Sequence, residues 1–168
     1  MAEQKTNVMR VLEQKKIPYT AHAYPHGDEA VDGVQVAELI GRSAAQVFKT
    51  LVAVGASKKY YVFVIPVDHA LDLKKAAKAA GEKSVAMLKV SELLGLTGYV
   101  RGGCSPIGMK KQFPTYLHES CVEQNTIIVS AGKIGQQVEL APDALMKLVR
   151  GRTADVAVKE KYERYDLY

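Results

Sequence analysis

The sequence is poor in the residues that stabilise small secreted proteins. It contains no tryptophan and two cysteines, Cys104 and Cys121, among 168 residues, and two cysteines are too few for a disulfide framework. No apolar run approaches the roughly 20 residues needed to cross a bilayer. The N-terminus lacks the apolar core and cleavage site of a secretory signal. We therefore expect a cytoplasmic protein, and the chain length suits one domain.

Sequence motifs for metals and nucleotide cofactors are also missing. His22 and His26 are four residues apart, but Pro25 between them disfavours the helical face that two ligands would share. His69 and His118 have no neighbouring ligand pattern, and the cysteines form no paired motif. The chain contains neither GxxxxGK followed by Ser or Thr nor GxGxxG. The sequence thus predicts no metal and no cofactor.

The charge balance is the first positive signal in the composition. Lysine and arginine outnumber aspartate and glutamate by 23 to 18, which gives a formal net charge of +5. A positive surface attracts polyanions through their phosphates. Mildly basic proteins that bind no nucleic acid are nevertheless common, so the charge permits an RNA partner without indicating one.

The pattern of apolar residues predicts a single α+β domain. Helices are predicted before Pro18, over residues 34–40, 73–80 and 91–95, and from Pro142 to residue 149. Strands are predicted over residues 19–23, 115–117, 126–130 and 138–140, and as a hairpin over 47–54 and 60–66. This irregular order favours α+β over a doubly wound sheet. We expect one domain over residues 1–158 and a charged, tyrosine-rich tail over 159–168.

A glycine-rich loop from Gly102 to Pro106 could carry chemistry. Adjacent glycines let the backbone approach a ligand, and exposed N–H groups can hold an oxygen on which negative charge develops. From local chemistry alone, a tight connection between two strands is the favoured interpretation. Cys104 lies in this loop, but no base is evident beside it, so an inert, partly buried cysteine is favoured over a nucleophile.

Lys49 interrupts the otherwise apolar strand VFKTLVAV. Strand alternation places it on the face opposite Phe48. A lysine among apolar residues is costly unless its ammonium group finds an anion or a cleft. The side chain could anchor a phosphate or polarise an ester, or it could simply reach water from an edge strand.

Five segments spread over most of the chain match a known family in its order. They read IPYTAHAYPH, FKTLV, LDLKKAAKAAGEKSVAM, TGYVRGGCSPIGMKKQFPTYLHES and IIVSAGKIGQQVELAP. Together they resemble the YbaK/EbsC family of Cys-tRNA(Pro) deacylases, which are relatives of the editing insertion domain of bacterial prolyl-tRNA synthetases. One segment would be weak evidence, whereas five in register are specific. The resemblance implies an α+β fold with a curved, barrel-like mixed sheet surrounded by helices.

The resemblance also implies roles for individual residues. Lys49 matches the family's essential lysine, and the backbone of the loop that includes Gly102, Gly103 and Ser105 is expected to hold the ester carbonyl oxygen. The residues expected to bind the substrate are Tyr24, Thr50, Pro106 and Ser130. Lysines become candidates for contacting tRNA phosphates, namely Lys74, Lys75, Lys78, Lys110, Lys111 and Lys133. A pocket aromatic of the family falls at residues 31–33, where this chain has none.

The implied activity is removal of cysteine misattached to tRNA(Pro), often with prolyl-tRNA synthetase as partner and without a cofactor. In the implied mechanism the substrate's own thiol attacks its ester, which agrees with the lack of a convincing protein nucleophile. Two alternatives remain open at this point. The protein could hydrolyse another aminoacyl-tRNA, such as Ala-tRNA, by water attack, or it could be a non-catalytic module that binds tRNA or a synthetase.

Overall fold

A computed structural model describes residues 5–160 of the chain. Its helices are α1 Asn7–Gln14, α2 Gly33–Leu39, α3 Leu73–Ala80, α4 Val90–Thr97 and α5 Pro142–Val149. Its strands are β1 Thr20–Ala23, β2 Phe48–Gly55, β3 Tyr60–Pro66, β4 His69–Leu71, β5 Val85–Met87, β6 Thr115–His118, β7 Ile127–Ser130, β8 Gln136–Leu140, β9 Arg152–Ala154 and β10 Ala157–Lys159. In residues 5–160, no helix has the length and apolar character that a membrane crossing requires.

The predicted single α+β domain is confirmed, and several element boundaries follow directly from capping residues. Asp72 caps α3, where its carboxylate accepts a hydrogen bond from the Lys75 amide at 3.0 Å. Gly81 ends the same helix with a φ of 72°. The prediction for α4 was too short, because the left-handed residue that ends this helix is Gly98 rather than Gly95.

The strands form three sheets rather than one. A five-stranded sheet has the order β5-β2-β3-β6-β9, with β5, β2 and β3 antiparallel and β6 and β9 added in parallel. A three-stranded antiparallel sheet has the order β1-β8-β7, and β10 pairs with β4. Strands β2 and β7 approach each other at a single bridge between Val47 and Ile128. The mixed pairing agrees with the expected fold, but a barrel-like closure is not confirmed.

Strand β2 separates two hydrophobic clusters, which explains its near-continuous apolar sequence. Phe48 and Val52 pack in the larger cluster, whereas Ala53 packs in a second cluster with Phe63. Phe48 and Phe63 are almost fully buried, and burial of such a side chain contributes roughly 1.5–3 kcal/mol. The strand is therefore held rigidly from both faces, as a platform for functional side chains needs to be.

The C-terminal part of the chain differs from the sequence-based expectation at its first residues. Lys159 was assigned to a tail, but it is the last residue of β10 and pairs with His69 of β4. Residues 161–168, the remainder of the expected tail, lie outside the described residues. The short strands β4, β5, β9 and β10 were not predicted, because three residues are too few to show an alternating pattern.

Candidate active site

A cavity of about 610 Å³ opens beside the first residues of β2. Five residues expected from the sequence line it, although they come from separate parts of the chain: Tyr24, Lys49, Thr50, Gly102 and Ser130. The walls are completed by residues 30–33 before and at the start of α2, and by apolar side chains from β5 and α4. A concave site with a few convergent polar groups is the usual form of a small-molecule or substrate pocket.

Lys49 brings a cationic group to this cavity. Its Nζ atom lies 3.5 Å from the carbonyl oxygen of Val67 and 3.8 Å from Oε1 of Glu160. Its side chain is 31% exposed, so it neither crosses the core nor extends fully into water. Both distances exceed the 2.7–3.2 Å that is usual for N–H···O hydrogen bonds. The ammonium group can therefore take a further acceptor from a ligand.

Close packing around its glycines shapes the loop that contains Gly102. Gly102 has a φ of +86°, and a Cβ atom there would lie 2.7 Å from the Cβ of Ala30. A Cβ atom on Gly103 would lie 3.1 Å from the backbone nitrogen of Ile134. Glycine is thus required at 102 for both backbone conformation and space. The loop is wedged between the segment before α2 and the turn before β8.

Not every residue of this loop faces the cavity. Gly102 and Cys104 line it, and among the hydrogen bonds of residues 5–160 none uses their amides. The Gly103 amide already donates to the carbonyl oxygen of Val100 at 2.9 Å. Ser105 is fully buried, and its Oγ accepts from the Ile107 amide at 3.3 Å. Neither Gly103 nor Ser105 lines the cavity, and these contacts hold the loop together.

Pro106 is buried beside Ser105 and is not among the residues that line the cavity. Its ring fixes the backbone where the loop returns to the core. The next residue, Ile107, is almost fully buried, and its carbonyl oxygen accepts a hydrogen bond from the Tyr99 hydroxyl. Pro106 and this hydrogen bond anchor the C-terminal end of the loop to the hydrophobic core.

Tyr24, just after β1, and Ser130, the last residue of β7, form part of the cavity wall. The Tyr24 amide donates to the carbonyl oxygen of Gly135 at 2.9 Å, and Tyr24 is almost completely buried. Gly135 has a φ of +95° and packs under the ring of His26, where a Cβ atom would lie 2.1 Å from a ring carbon. Ser130 Oγ accepts from the Gly132 amide at 3.1 Å. These contacts orient the wall through the turn between β7 and β8.

Gln137 is a cavity residue that sequence reasoning missed. It pairs directly with Ser130 in the β7–β8 ladder, so both side chains lie on the same face. Gln137 Oε1 and Thr50 Oγ1 are buried and have no hydrogen-bond partner within residues 5–160. Unpaired buried polar atoms are rare in folded proteins and call for an explanation. The antiparallel register was the signal that could have found Gln137, once Ser130 had been assigned.

The segment at residues 31–33, where the resemblance expects an aromatic side chain, does line the cavity. Here it presents Val31, Asp32 and Gly33. A Cβ atom on Gly33 would lie 2.6 Å from Cγ1 of Val67, so Val67 occupies the space beside Gly33. Asp32 and Arg101 add an acidic and a basic group to the lining, and neither was predicted. The polar lining is thus broader than the motifs indicated.

Cys104 is a poor nucleophile in this environment. It lines the cavity but is only 8% exposed, and burial raises the pKa of its thiol to about 12. A protonated thiol is not the reactive form. His118, the histidine nearest in sequence, lies elsewhere: its Nδ1 accepts from the Val156 amide, and its ring stands 5.6 Å from that of His69. Burial lowers the pKa of His118.

The lysines expected to contact tRNA have different local surroundings. Lys74 and Lys78 line a second cavity of about 320 Å³ beside α3 and β5, while Lys75 is paired with Asp155 at 3.0 Å. Lys110 donates to a backbone carbonyl at 3.3 Å. Lys111 lies 6.0 Å from the ring of Phe113, and the backbone of Lys133 packs against Gly103. Lys133 is accordingly the one of this set that flanks the glycine-rich loop.

Comparison with known proteins identifies the family. Residues 28–148 match the model of the aminoacyl-tRNA editing domain. The chain is 51% identical over 158 residues to "Putative Cys-tRNA(Pro)/Cys-tRNA(Cys) deacylase EbsC" of Enterococcus faecalis, which covers 94% of this chain and 96% of the relative.

Solved structures show the same fold. A protein described as "a putative trans-editing enzyme for prolyl tRNA synthetase" superposes with a TM-score of 0.78 at 25% identity, over 95% of this chain and all of the other. A hypothetical protein with 22% identity superposes with a TM-score of 0.80, over 90% of this chain and 99% of the other, and shows the fold alone. The chain belongs to the aminoacyl-tRNA editing domain family.

Proposed function

We propose that this protein is a deacylase that removes cysteine wrongly attached to tRNA(Pro). The observation that carries the proposal is that Lys49, Thr50, Gly102 and Ser130 line one cavity. The family and the name of the Enterococcus faecalis relative support the substrate class. The substrate would place the protein in the cytoplasm, where translation occurs.

The proposed binding mode places the terminal adenosine of the tRNA at the cavity mouth, with the amino acid inside. Lys49 holds the neighbouring phosphate or ribose as a point charge. The ester carbonyl oxygen accepts from the amides of Gly102 and Cys104, the loop residues that line the cavity. Preorganised donors of this kind stabilise the charge that develops on that oxygen in the transition state.

In the proposed reaction, the substrate supplies the nucleophile. The sulfur of the cysteinyl group attacks its own ester carbonyl, so that a C–S bond forms and the C–O bond to the ribose breaks. The thiol proton passes to the departing ribose oxygen, and the products are a cyclic thiolactone and free tRNA. Among residues 5–160, no histidine lines the cavity, and the Cys104 thiol is held protonated. Such a site suits a reaction that needs positioning and electrostatics from the protein.

This chemistry would also provide the selectivity. A pocket of this size cannot strongly reject a smaller amino acid by contact alone, because one methylene group changes binding by only about 1–3 kcal/mol. Alanine and serine have no thiol and would survive in the same pocket. A lyase-type release of thiolactone would therefore spare them, whereas hydrolysis by water would not.

The test compares deacylation of Cys-tRNA(Pro) and Ala-tRNA(Pro) by the wild-type protein, Lys49→Ala and the control Lys147→Ala. Lys147 is an exposed lysine on α5. We expect loss of cysteine only, slowed up to about a hundredfold at low tRNA concentration in Lys49→Ala, as for loss of one charge-assisted contact, and unchanged in Lys147→Ala. Circular dichroism should show that Lys49→Ala remains folded.

Other outcomes would redirect the proposal. Removal of alanine would assign the protein to a sister specificity that uses water. Binding of tRNA without any turnover would make it a binding module. Full activity of Lys49→Ala would refute the role of this lysine. Addition of prolyl-tRNA synthetase tests the proposed partner, which should raise the rate with Cys-tRNA(Pro) if the two proteins act together. Alanine substitutions of the exposed lysines, above all Lys133, should weaken tRNA binding and its salt dependence.

A further inference from the structure

The last described residue, Glu160, reaches the site from the opposite end of the chain. Strand β10 pairs with β4, and Lys159 lies opposite His69. The ladder continues by one bond, because the Glu160 amide donates to the carbonyl oxygen of Asp68 at 3.1 Å. Asp68 directly follows Val67, whose carbonyl oxygen lies beside the Lys49 ammonium group. Pairing of two short strands thus places the Glu160 carboxylate beside Lys49, which lines the cavity.

Several contacts fix the chain just before Glu160. Val156 is completely buried, and its amide donates to Nδ1 of His118 at 3.3 Å. Its carbonyl oxygen accepts from the Asp72 amide at 2.9 Å. Asp155 also pairs with Lys75 on α3 at 3.0 Å, but these side chains are 48% and 40% exposed, so this pair adds little to the support. The backbone that carries Glu160 is therefore held by the second hydrophobic cluster and by α3, so the position of its carboxylate is built into the fold.

The contact between Lys49 and Glu160 is close enough for attraction and too long for a strong bond. Nζ and Oε1 are 3.8 Å apart, and the two side chains are 31% and 28% exposed. Ion pairs that remain this exposed contribute little stability. Little is therefore lost when Lys49 exchanges this contact for one with an arriving anion, while the carboxylate still opposes the approach of that anion.

We propose that Glu160 is the counter-ion of Lys49 and determines specificity at this site. In the resting protein, it occupies the place beside Lys49 that a ligand anion takes. A ligand gains from Lys49 only if it carries its own anion at that point, as the phosphate of the 3′-terminal nucleotide of RNA does. For nucleosides and small esters without this phosphate, neither Lys49 nor Glu160 changes the binding affinity. The identity of the natural ligand rests on the proposed deacylase function.

The test measures binding of 5′-AMP and of adenosine to wild-type protein and Glu160→Gln by NMR titration. We expect Glu160→Gln to bind 5′-AMP about fivefold more tightly, the scale of a partly exposed ion pair, and to bind adenosine as the wild type does. The gain should shrink in high salt. Asp155→Asn is the matched control, because it makes the same change in net charge on the same segment but at a carboxylate paired with Lys75.

Deacylation separates competition from positioning. Competition predicts that Glu160→Gln lowers the KM for aminoacyl-tRNA about fivefold and leaves kcat unchanged. A fall in kcat would show that Glu160 orients Lys49, and would overturn the proposal. So would equal binding of 5′-AMP by both proteins, an equal gain in Asp155→Asn, or no binding of 5′-AMP by either. Because the titration needs no turnover, a wild-type protein without deacylase activity would refute the proposed function and leave this test intact.

Discussion

Lys49 on β2 and Glu139 on β8 are both charged side chains on strands, yet the protein satisfies them very differently. Glu139 accepts hydrogen bonds at 2.5 Å from Thr126 and 2.8 Å from Arg42, and lies 2.6 Å from His22 Nε2. Its side chain is 11% exposed. Lys49, by contrast, has acceptors at 3.5 and 3.8 Å and is 31% exposed.

This difference in hydrogen bonding indicates that Glu139 has a structural role, whereas Lys49 can still bind a ligand. The network around Glu139 joins β8 to β1 and to the segment before β2, through partners far apart in the sequence. With its acceptor sites filled, Glu139 has little left for a ligand. Lys49 retains unused donors beside a cavity, which is the condition for binding an anion. The two regions thus differ in how fully the charge is satisfied by hydrogen bonds.

Glu139→Gln should produce the largest loss of stability among the changes that test this comparison. The amide cannot accept as the carboxylate does, and Arg42 would be left without its partner. We expect a loss of about 2 kcal/mol in the free energy of unfolding, measured by urea denaturation, with deacylation little changed under folding conditions. Glu13→Gln, at an exposed pair with Lys5, should have a much smaller effect. A large loss of activity in folded Glu139→Gln would break the comparison.

Low pH should weaken the hydrogen-bond network of Glu139 without a mutation. Burial by itself would raise the pKa of Glu139, but hydrogen bonds from Thr126, His22 and Arg42 outweigh it and lower the pKa to about 2. Because this folded-state pKa lies below the usual 4.5, the contribution is complete above about pH 4.5 and is lost as the pH falls towards 2. The melting temperature of the wild type should decline over this window. Glu139→Gln should decline less steeply there, and identical profiles would contradict the role of this network.

Cys104→Ser should have the smallest effect, and it tests whether proximity to the cavity alone confers function. The thiol lines the cavity but is held protonated by burial, with a pKa of about 12. We expect deacylation within about twofold of the wild type and a stability loss of about 1 kcal/mol from the buried hydroxyl. A folded but inactive Cys104→Ser would show that the cysteine, and not the available lysine, carries the chemistry.

Much of the cavity lining was predictable because its residues lie in segments that resemble those of the family. Lys49 stands out as a charge in an apolar strand, and Gly102 in a glycine-rich run, and the structure brings both to one cavity. The sequence did not predict which backbone N–H groups of the loop are hydrogen-bonded within the protein. Gly103 looks equivalent to Gly102 in sequence, but its N–H is taken by Val100. A hydrogen bond of this kind depends on the turn the loop adopts, which composition does not specify.

The sequence by itself determined the long elements, the caps of α3 and the family, because periodicity and capping act between neighbouring residues. Only the tertiary structure decided that Gln137 lies opposite Ser130 and that Glu160 lies beside Lys49. The second contact spans more than a hundred residues and depends on the pairing of β10 with β4. Three-residue strands carry almost no local signal, since their stability comes from the sheet they join. The chemistry of the cationic group was thus encoded locally, whereas its counter-ion was supplied by the fold.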